Sequence, residues 1–254
     1  MRTVRLLETA KSAETFSYHD SIAVVIDVLR ATSTMVTALM NGAKEVIPVK
    51  TVEQAREQAK ELQGHHSLLC GERKGLPIEG FDLGNSPLEY TPLKVRDKTI
   101  ILTTSNGTRA LASVSHVSEV FLLSFLNMGA SVHRLTESDK NIHLICAGSG
   151  GHPSVEDLGC AAFLIHKLLQ FDDKLLLSEL AEKWLKLSKK YFNHLGTLLK
   201  NSSHGEYLVN LGFQADLNYC AMLNITDIVP RLSYNRVIHE SKLDAGTHDE
   251  TKSE

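Results

Sequence analysis

The sequence predicts an α/β fold with a largely parallel or mixed sheet, and three observations point to it. Apolar segments rich in β-branched residues alternate with amphipathic segments of helical period along residues 21–169. The apolar segments are continuous, which is typical of strands buried on both faces of a parallel sheet. A strand–loop–helix–strand unit recurs in residues 24–49 and 99–123, and a third version opens at residue 141. The recurrence allows two similar lobes.

The first unit opens with a predicted strand at residues 21–29 and continues with a helix at 31–43. A strand at 44–49 and a helix at 51–62 follow, and Thr51 is the predicted N-cap of that helix. Together they make one βαβ unit and the start of the next. Their loops are expected to meet at the carboxyl edge of the sheet, where such folds bind ligands.

The second unit has predicted strands at 98–105 and 118–125, with a short helix between them. The third has a strand from residue 141, a glycine-rich loop and a helix that ends near residue 169. Leu, Trp and Tyr recur at helical spacing after residue 171, which indicates helices with a core-facing stripe. The segment 203–225 is predicted to form a short helix and a return strand.

Composition places the chain among ordinary globular proteins. It has 254 residues, a formal net charge of −3, 43% hydrophobic residues and 22% charged residues. We predict one α/β domain over residues 1–239 and a polar, disordered tail over 240–254. The near-neutral charge gives no electrostatic case for binding nucleic acid or a membrane. No segment approaches the roughly 18 consecutive apolar residues of a membrane span, and residues 1–20 lack the apolar run of a signal peptide.

The four cysteines indicate a reducing compartment. Three of them lie in apolar segments, and no Cys-x-x-Cys pair occurs. We therefore expect buried, reduced thiols and a cytoplasmic protein.

Asp27 is the first candidate for chemistry, because it ends a strand that is otherwise apolar. An ionised carboxylate is costly in a core unless a partner is present. One interpretation is that Asp27 caps the helix that follows. The functional interpretation is a metal ligand or a catalytic group at the carboxyl end of a strand.

Two strand-to-helix loops have a similar composition, with several hydroxyl-bearing residues and one arginine each. Free backbone N–H groups at a helix start, with hydroxyls and a guanidinium beside them, form a cradle for an anion such as phosphate. The candidate residues are Arg30, Thr32, Ser33 and Thr34 in the first loop, and Ser105, Asn106, Gly107, Thr108 and Arg109 in the second.

The segment 68–87, LLCGERKGLPIEGFDLGNSP, adds a long irregular loop rich in charge. Glu72 and Asp82 supply hard oxygen ligands of the kind that Mg²⁺ prefers. Arg73 and Lys74 can hold a second anionic group. Long loops without secondary structure in a compact domain are usually functional or disordered.

A third loop, CAGSGGHPSVED at 146–157, places Glu156 and Asp157 in the first turn of a helix. There they either favour the helix dipole or ligate a metal that faces Asp27. Among the scattered histidines, His204 is of most interest, and no zinc-binding spacing occurs. Cysteine-nucleophile phosphatase, Asp-x-Asp, Walker A and Gly-x-Gly-x-x-Gly motifs are also missing from the sequence.

These segments together resemble the 2-phosphosulfolactate phosphatase family over residues 21–230. The segments that carry the resemblance are DVLRATST (27–34), GERKGLPIEGFDLGNSP (71–87), TTSNGTRAL (103–111), SFLN (124–127), CAGSGGHPSVEDLGCA (146–161) and SHGEYLVNLGF (203–213). The resemblance implies a three-layer α/β/α fold and a Mg²⁺-dependent phosphatase. The implied reaction converts (R)-2-phospho-3-sulfolactate to 3-sulfolactate and phosphate, a step that leads to coenzyme M in methanogens.

The resulting hypothesis assigns a role to each candidate. The predicted catalytic residues are Asp27, Glu72 and Asp82, and the predicted metal ligands are the same three residues with Glu156 and Asp157. The phosphate is predicted to be held by Arg30, Arg109 and the loop amides. The carboxylate or sulfonate is predicted to be bound by Arg73, Lys74 and Asn85. Direct attack by water is favoured over a covalent intermediate at Asp27.

Two alternatives stay open. One is a phosphatase for another small phosphorylated hydroxy acid, such as phospholactate or phosphoglycolate. The other is a non-catalytic protein that senses an anionic metabolite. The oligomeric state is also open, with a homodimer as one option.

Overall fold

The structure is a computed structural model and describes residues 1–62 and 66–239, so the predicted tail at 240–254 lies outside the described residues. The strands are β1 (Thr3–Leu7), β2 (Ser21–Ile26), β3 (Glu45–Pro48), β4 (Ser67–Arg73), β5 (Leu76–Pro77), β6 (Thr99–Thr103), β7 (Glu119–Leu123), β8 (Asn141–Cys146), β9 (Leu176–Leu177), β10 (Pro230–Ser233) and β11 (Arg236–His239). The helices are α1 (Ala10–Glu14), α2 (Ala31–Met40), α3 (Val52–Glu61), α4 (Pro92–Val95), α5 (Gly107–Ser113), α6 (Met128–Thr136), α7 (Val155–Leu168), α8 (Glu179–Ser188), α9 (Leu195–Lys200), α10 (Ser203–Asn210) and α11 (Gln214–Cys220).

The strands form one mixed sheet in the order β5-β4-β6-β3-β11-β10-β7-β2-β8-β1-β9. Two parallel blocks, β4-β6-β3 and β7-β2-β8-β1-β9, lie on either side of the antiparallel hairpin β10–β11. The hairpin pairs with β7 on one side and with β3 on the other. The expected mixed sheet is therefore present, with helices on both of its faces.

Strand β2 shows how the apolar segments build two cores. Ile22, Val24 and Ile26 pack in one buried cluster with α7, while Ala23 and Val25 pack in another with α2 and α5. Alternate residues of a strand point to opposite faces, so a strand that is apolar at every position supplies both cores. Complete burial of each larger aliphatic side chain contributes about 1.5–3 kcal/mol.

Helix α2 is buried along nearly its whole length, and residues from both parallel blocks belong to the cluster that contains it. It starts without a side-chain cap from its own N-cap residue, Arg30. Instead, Asp27 Oδ1 accepts a hydrogen bond from Ala31 N at 3.1 Å. Asp27 therefore does cap helix α2, as one of the two interpretations predicts. The cap involves only one of its two carboxylate oxygens.

Most predicted elements of the three units are confirmed. The strands near residues 21, 44, 98, 118 and 141 and the helices between them are present. Thr51 caps α3, because its hydroxyl accepts a hydrogen bond from Gln54 N at 3.2 Å. The return strand predicted within 203–225 is wrong: helices α10 and α11 occupy that segment. The strands that do return to the sheet are β10 and β11, further along the chain.

All four cysteines are free and buried, as predicted. Burial in an apolar environment disfavours the thiolate and raises the pKa of each thiol, that of Cys70 and of Cys220 to about 12. Across the described part of the chain, no helix is both long and apolar enough to cross a membrane.

The buried ring of His143 makes stability depend on pH. It lies on β8 against the rings of Phe16 and Tyr18, and burial, aided by the charge of Arg5, lowers its pKa to about 4. Between pH 4 and 6.5 the unfolded chain binds a proton that the folded chain does not, so the free energy of unfolding falls as the pH falls. We expect His143→Phe to flatten this dependence, by roughly 1.4 kcal/mol per pH unit at most.

Urea unfolding at several pH values between 4 and 7 tests this expectation. The control is His19→Phe, which alters an exposed ring and should retain the wild-type dependence. Parallel curves for wild type and His143→Phe would contradict the prediction.

Candidate functional site

Loops from both parallel blocks meet around a cavity of about 750 Å³. The loops follow β2, β3, β4, β5, β6 and β8, and residues of helices α5, α7 and α10 complete the lining. The prediction that the three recurrent units gather their loops at one place is confirmed. The cavity is therefore built from segments that are distant in sequence.

Three carboxylates line the buried part of this cavity. Asp27, Glu72 and Glu156 are 6%, 7% and 2% exposed, respectively. Asp27 follows β2, Glu72 lies near the end of β4, and Glu156 lies in the first turn of α7. Acidic side chains are rarely so deeply buried without cationic partners. Such a cluster is costly for stability, which is typical of a functional site.

Burial and neighbouring charges both act on Asp27. Burial, with a smaller contribution from the nearby carboxylates of Glu72 and Glu156, raises its pKa to about 7. The hydrogen bond from Ala31 N and the charge of Arg30 oppose this shift. At neutral pH Asp27 thus exchanges protons readily, unless a cation in the cavity favours the ionised form.

Glu72 connects two loops through hydrogen bonds to its carboxylate. Its Oε1 accepts from Ser105 N at 2.7 Å, and its Oε2 accepts from Gly75 N at 2.8 Å and from Ser105 Oγ at 3.2 Å. The first and third bonds fix the loop after β6, and the second closes the turn after β4. Glu72 therefore sets the shape of the cavity and also contributes a negative charge to it.

Glu156 and Asp157 are neighbours with different surroundings. Burial raises the pKa of both, and in Glu156 the nearby His204 opposes the shift. Asp157 accepts hydrogen bonds from Val28 N at 2.8 Å and Gly148 N at 3.3 Å, and it does not line the cavity. Asp157 thus ties the loops after β2 and β8 together, while Glu156 faces the ligand space.

Cations occupy the exposed part of the cavity. Lys50, Lys74 and Arg109 line it, are exposed, and form no ion pair with any described residue. Arg73 is partly buried, and its guanidinium donates to the carbonyl of Glu72 and to the hydroxyl of Thr103. Buried negative charge and exposed positive charge therefore share one cavity.

Arg30, predicted to bind phosphate, has other partners. Its side chain is 2% exposed, and its Nη1 donates to Asp216 Oδ2 at 2.6 Å. Its Nη2 donates to the carbonyl of Gly75 at 2.7 Å, and the guanidinium lies 4.2 Å from the centre of the Phe213 ring. Both terminal nitrogens are occupied, so Arg30 belongs to the wall of the cavity.

The hydroxyl groups predicted beside Arg30 are also satisfied within the protein. Thr32 and Ser33 donate to two backbone carbonyls just after β2, and Thr34 donates to the carbonyl of Asn85. All three residues are buried, and none lines the cavity. Ser and Thr side chains in the first turn of a helix often bond to the backbone in this way.

The loop after β6 agrees better with the prediction. Three of its five candidates line the cavity, namely Ser105, Asn106 and Arg109. Thr108 instead exchanges hydrogen bonds with Thr104. Gly107 packs so closely that a Cβ atom would lie 2.7 Å from Asp27 Oδ2, which explains why only glycine fits there.

Some residues of the segment 68–87 line the cavity, and others lie outside it. Asp82, predicted as a metal ligand, is exposed, does not line the cavity, and accepts a hydrogen bond from Leu69 N at 2.8 Å. That prediction is corrected, because the chain turns back after β5 and pairs with β4 at Leu83, which places Asp82 outside the cavity. Asn85 lines the cavity, and its Oδ1 is buried without a hydrogen-bond partner in residues 1–62 and 66–239.

The donor set of the cavity fits Mg²⁺. Within residues 1–62 and 66–239, no three His, Cys, Asp or Glu side chains form a ready-made metal cluster. Mg²⁺ in phosphoryl-transfer sites is usually held by one or two carboxylates, waters and substrate phosphate, so a complete protein cage is not required. Asp27, Glu72 and Glu156 offer carboxylates, and the orphaned Oδ1 of Asn85 offers a neutral oxygen.

Sequence reasoning missed several residues of the site. Lys50, His152 and Tyr207 line the cavity, and Asp216 pairs with Arg30 behind it. Lys50 follows a strand, so the strand-end pattern that singled out Asp27 could have found it. His204, singled out in the sequence, does line the cavity.

Comparisons with known proteins agree on one family. A family model described as 2-phosphosulpholactate phosphatase matches residues 7–235. A protein of Caldanaerobacter subterraneus subsp. tengcongensis is 43% identical over 92% of this chain and 97% of its own length. Proteins of Clostridium beijerinckii and Thermotoga maritima are 39% and 44% identical, over 87% and 83% of this chain and 92% and 88% of their own lengths. Each of the three is named "Probable 2-phosphosulfolactate phosphatase".

Proposed function

Because the chain belongs to the 2-phosphosulfolactate phosphatase family, we propose that it hydrolyses (R)-2-phospho-3-sulfolactate to 3-sulfolactate and phosphate. The observation that carries this proposal is the pairing of buried carboxylates with exposed cations in one cavity. The substrate combines a phosphate with a carboxylate and a sulfonate on three carbons. Such a ligand suits a metal-assisted phosphate site with a cationic rim.

The charge distribution suggests how the substrate lies. The phosphate enters the buried part, near Asp27 and the loop of Ser105 and Asn106. The carboxylate and sulfonate face the exposed cations Lys74 and Arg109. In this orientation each anionic group has a counter-charge, and the ester oxygen lies between the two regions.

Mg²⁺ is the proposed cofactor, held by Asp27 and Glu72 with Asn85 Oδ1 as an additional oxygen. When bound, it would neutralise charge on the phosphoryl oxygens. Without a cation, ionised carboxylates in the buried part of the cavity would repel a phosphate dianion. The donor chemistry of the site thus supports a metal-dependent reaction.

The residues of the chain supply orientation and proton transfer. Glu156 is assigned as the proton acceptor for the attacking water, since its raised pKa makes it a stronger base. His204, whose charge acts on Glu156, tunes that proton transfer. Ser105 and Asn106 orient the phosphoryl group. Direct attack by water is preferred, and trapping a phospho-aspartate at Asp27 would overturn this preference.

A phosphate-release assay tests the function. The purified protein is incubated with racemic 2-phosphosulfolactate in Mg²⁺ or in excess EDTA, with phospholactate and phosphoglycolate in parallel. We expect metal-dependent release that stops near half conversion, because the pocket is chiral. Faster release from another substrate would replace the substrate assignment. Tight binding without any release would leave a non-catalytic anion sensor.

The rim cations provide a quantitative test of substrate orientation. We expect Lys74→Ala and Arg109→Ala each to raise KM by roughly 5- to 10-fold with little change in kcat, because exposed ion pairs contribute about 1 kcal/mol to ground state and transition state alike. Lys94→Ala alters an exposed lysine outside the cavity and is the control. An unchanged KM in both rim variants would contradict the proposed orientation.

A cytoplasmic location is also part of the proposal. The four thiols are reduced and buried, which supports a reducing compartment. A homodimer stays a prediction, and sedimentation of the purified protein would test it.

A further inference from the structure

Asp216 lies on helix α11 behind the cavity wall, where its carboxylate accepts two short hydrogen bonds. Its Oδ2 accepts from Arg30 Nη1 at 2.6 Å, and its Oδ1 accepts from Ser86 Oγ at 2.6 Å. Asp216 is 2% exposed and does not line the cavity. Both of its partners belong to loops that do contribute to the site.

The first connection runs through Arg30 to Glu72. Arg30 donates from Nη2 to the carbonyl of Gly75 at 2.7 Å, and the amide of the same Gly75 donates to Glu72 Oε2 at 2.8 Å. Gly75 has a φ of +77°, and a Cβ there would lie 2.9 Å from Leu211. The amide of Gly75 is thus bonded to Glu72 and its carbonyl to Arg30, so the orientation of both peptide groups depends on the position of Arg30.

The second connection runs through Ser86 to Asn85. Ser86 directs its hydroxyl to Asp216, while the preceding carbonyl, of Asn85, accepts from Thr34 at 2.8 Å. Both bonds fix the backbone on the C-terminal side of the Asn85 side chain. That side chain lines the cavity, and its Oδ1 has no hydrogen-bond partner among the described residues.

The ion pair at the centre of these connections is difficult to rearrange. The side chains of Arg30 and Asp216 are 2% and 3% exposed, and the ring of Phe213 covers the guanidinium. Removing one partner of a buried pair leaves an uncompensated charge, so the other partner must move or recruit water. Displacement of Arg30 would carry the carbonyl of Gly75 with it.

We propose that Asp216 is a positioning residue of this phosphatase, which orients Glu72 through Arg30 and Gly75 and orients Asn85 through Ser86. The inference rests on the proposed function, because it assigns Glu72 and Asn85 to the working site. Asp216 itself touches neither substrate nor metal. Its effect is exerted through the geometry of the two loops that its partners Arg30 and Ser86 belong to.

The test uses two matched substitutions of buried carboxylates. Asp216→Asn keeps the size of the side chain and removes its charge. Glu45→Gln is the control, because Glu45 also accepts from an arginine, Arg236, and from a hydroxyl, Thr99, and it lies outside the cavity. Both variants should melt at a lower temperature than wild type. We expect kcat per folded molecule to fall about 10- to 100-fold only in Asp216→Asn, with KM changing less than about 3-fold.

Crystal structures of wild type and Asp216→Asn give a readout that does not depend on activity. We expect the hydrogen bond between Gly75 N and Glu72 Oε2 to be lost or lengthened. Should Asp216→Asn fail to fold, Ser86→Ala keeps the ion pair and tests the second connection. There we expect a shift of Asn85 and a loss in kcat of roughly 3- to 10-fold.

The outcomes separate the two proposals. A wild-type protein that releases no phosphate refutes the proposed function, while the crystal structures still decide whether Asp216 positions Glu72. An Asp216→Asn variant with wild-type kcat per folded molecule, or with Glu72 and Asn85 unmoved, overturns the positioning role. An equal loss of kcat in Glu45→Gln would also overturn it, since the effect would then be a general result of destabilisation.

Discussion

Asp27→Asn should lower kcat by roughly a thousand-fold and leave the fold intact, because it removes a charge from the buried part of the cavity where metal and phosphate are proposed to meet. Asparagine has the size of aspartate, and its Oδ1 can still accept the hydrogen bond from Ala31 N that starts helix α2. The local backbone is therefore expected to survive the substitution.

The same variant should be at least as stable as wild type, and more so at alkaline pH. The pKa of Asp27 is raised from 3.8 to about 7, so the folded state holds a proton that the unfolded state has released. Stability from this group is present below pH 3.8 and is lost as the pH rises through about 7. Asparagine does not ionise, so the gain in Tm over wild type should be larger at pH 8 than at pH 5.

Steady-state kinetics and thermal melts at these two pH values check both expectations. Asp82→Asn is the control, because Asp82 is an acidic residue outside the cavity that was also predicted as a ligand. It should retain wild-type turnover. Full activity in Asp27→Asn would remove this residue from the mechanism.

Glu72→Gln should lower kcat by about 100-fold or more, since it disturbs charge and loop geometry together. The carboxylate accepts from Ser105 N, Ser105 Oγ and Gly75 N. A glutamine amide offers one oxygen and one NH₂ group, so an N–H would face an N–H or O–H donor on one of the two loops. The buried donor left unpaired should also cost about 1–3 kcal/mol of stability.

Kinetics and chemical denaturation of the same preparation measure the two effects. Glu79→Gln, at an exposed position of the same segment, is the matched control and should change neither quantity. A Glu72→Gln variant that lost stability but kept wild-type kcat would reduce Glu72 to a structural role.

The fold and the general location of the site could be predicted from local patterns. Continuous apolar strands such as β2 and β6 specify burial on both sides, and the residues that follow them, Asp27 and Ser105, lie at the carboxyl ends where ligands bind. The periodicity of the helices similarly marks their core-facing sides. These features depend on short stretches of sequence and so are visible without a structure.

The exact partners of the site residues could not be predicted, because they depend on contacts between segments that are distant in sequence. Arg30 and Asp216 are separated by 186 residues, so no spacing rule connects them. The hydroxyl of Thr32 has the same chemistry whether it faces an anion or a backbone carbonyl, and only packing decides between the two. Asp82 was misassigned because its segment turns back beside β4, which its irregular sequence does not reveal.

The hairpin β10–β11 has a consequence for how the protein is made. The chain emerges from the ribosome N-terminus first, so both parallel blocks exist before the strands that join them, Pro230–Ser233 and Arg236–His239. Until then β3 and β7 each have an open edge, and unpaired edges promote association with other chains. Among the described strands these two are the last to be synthesised, and they cover both open edges. A nascent chain that stalls before residue 230 therefore leaves the edges of β3 and β7 open to aggregation and chaperone capture.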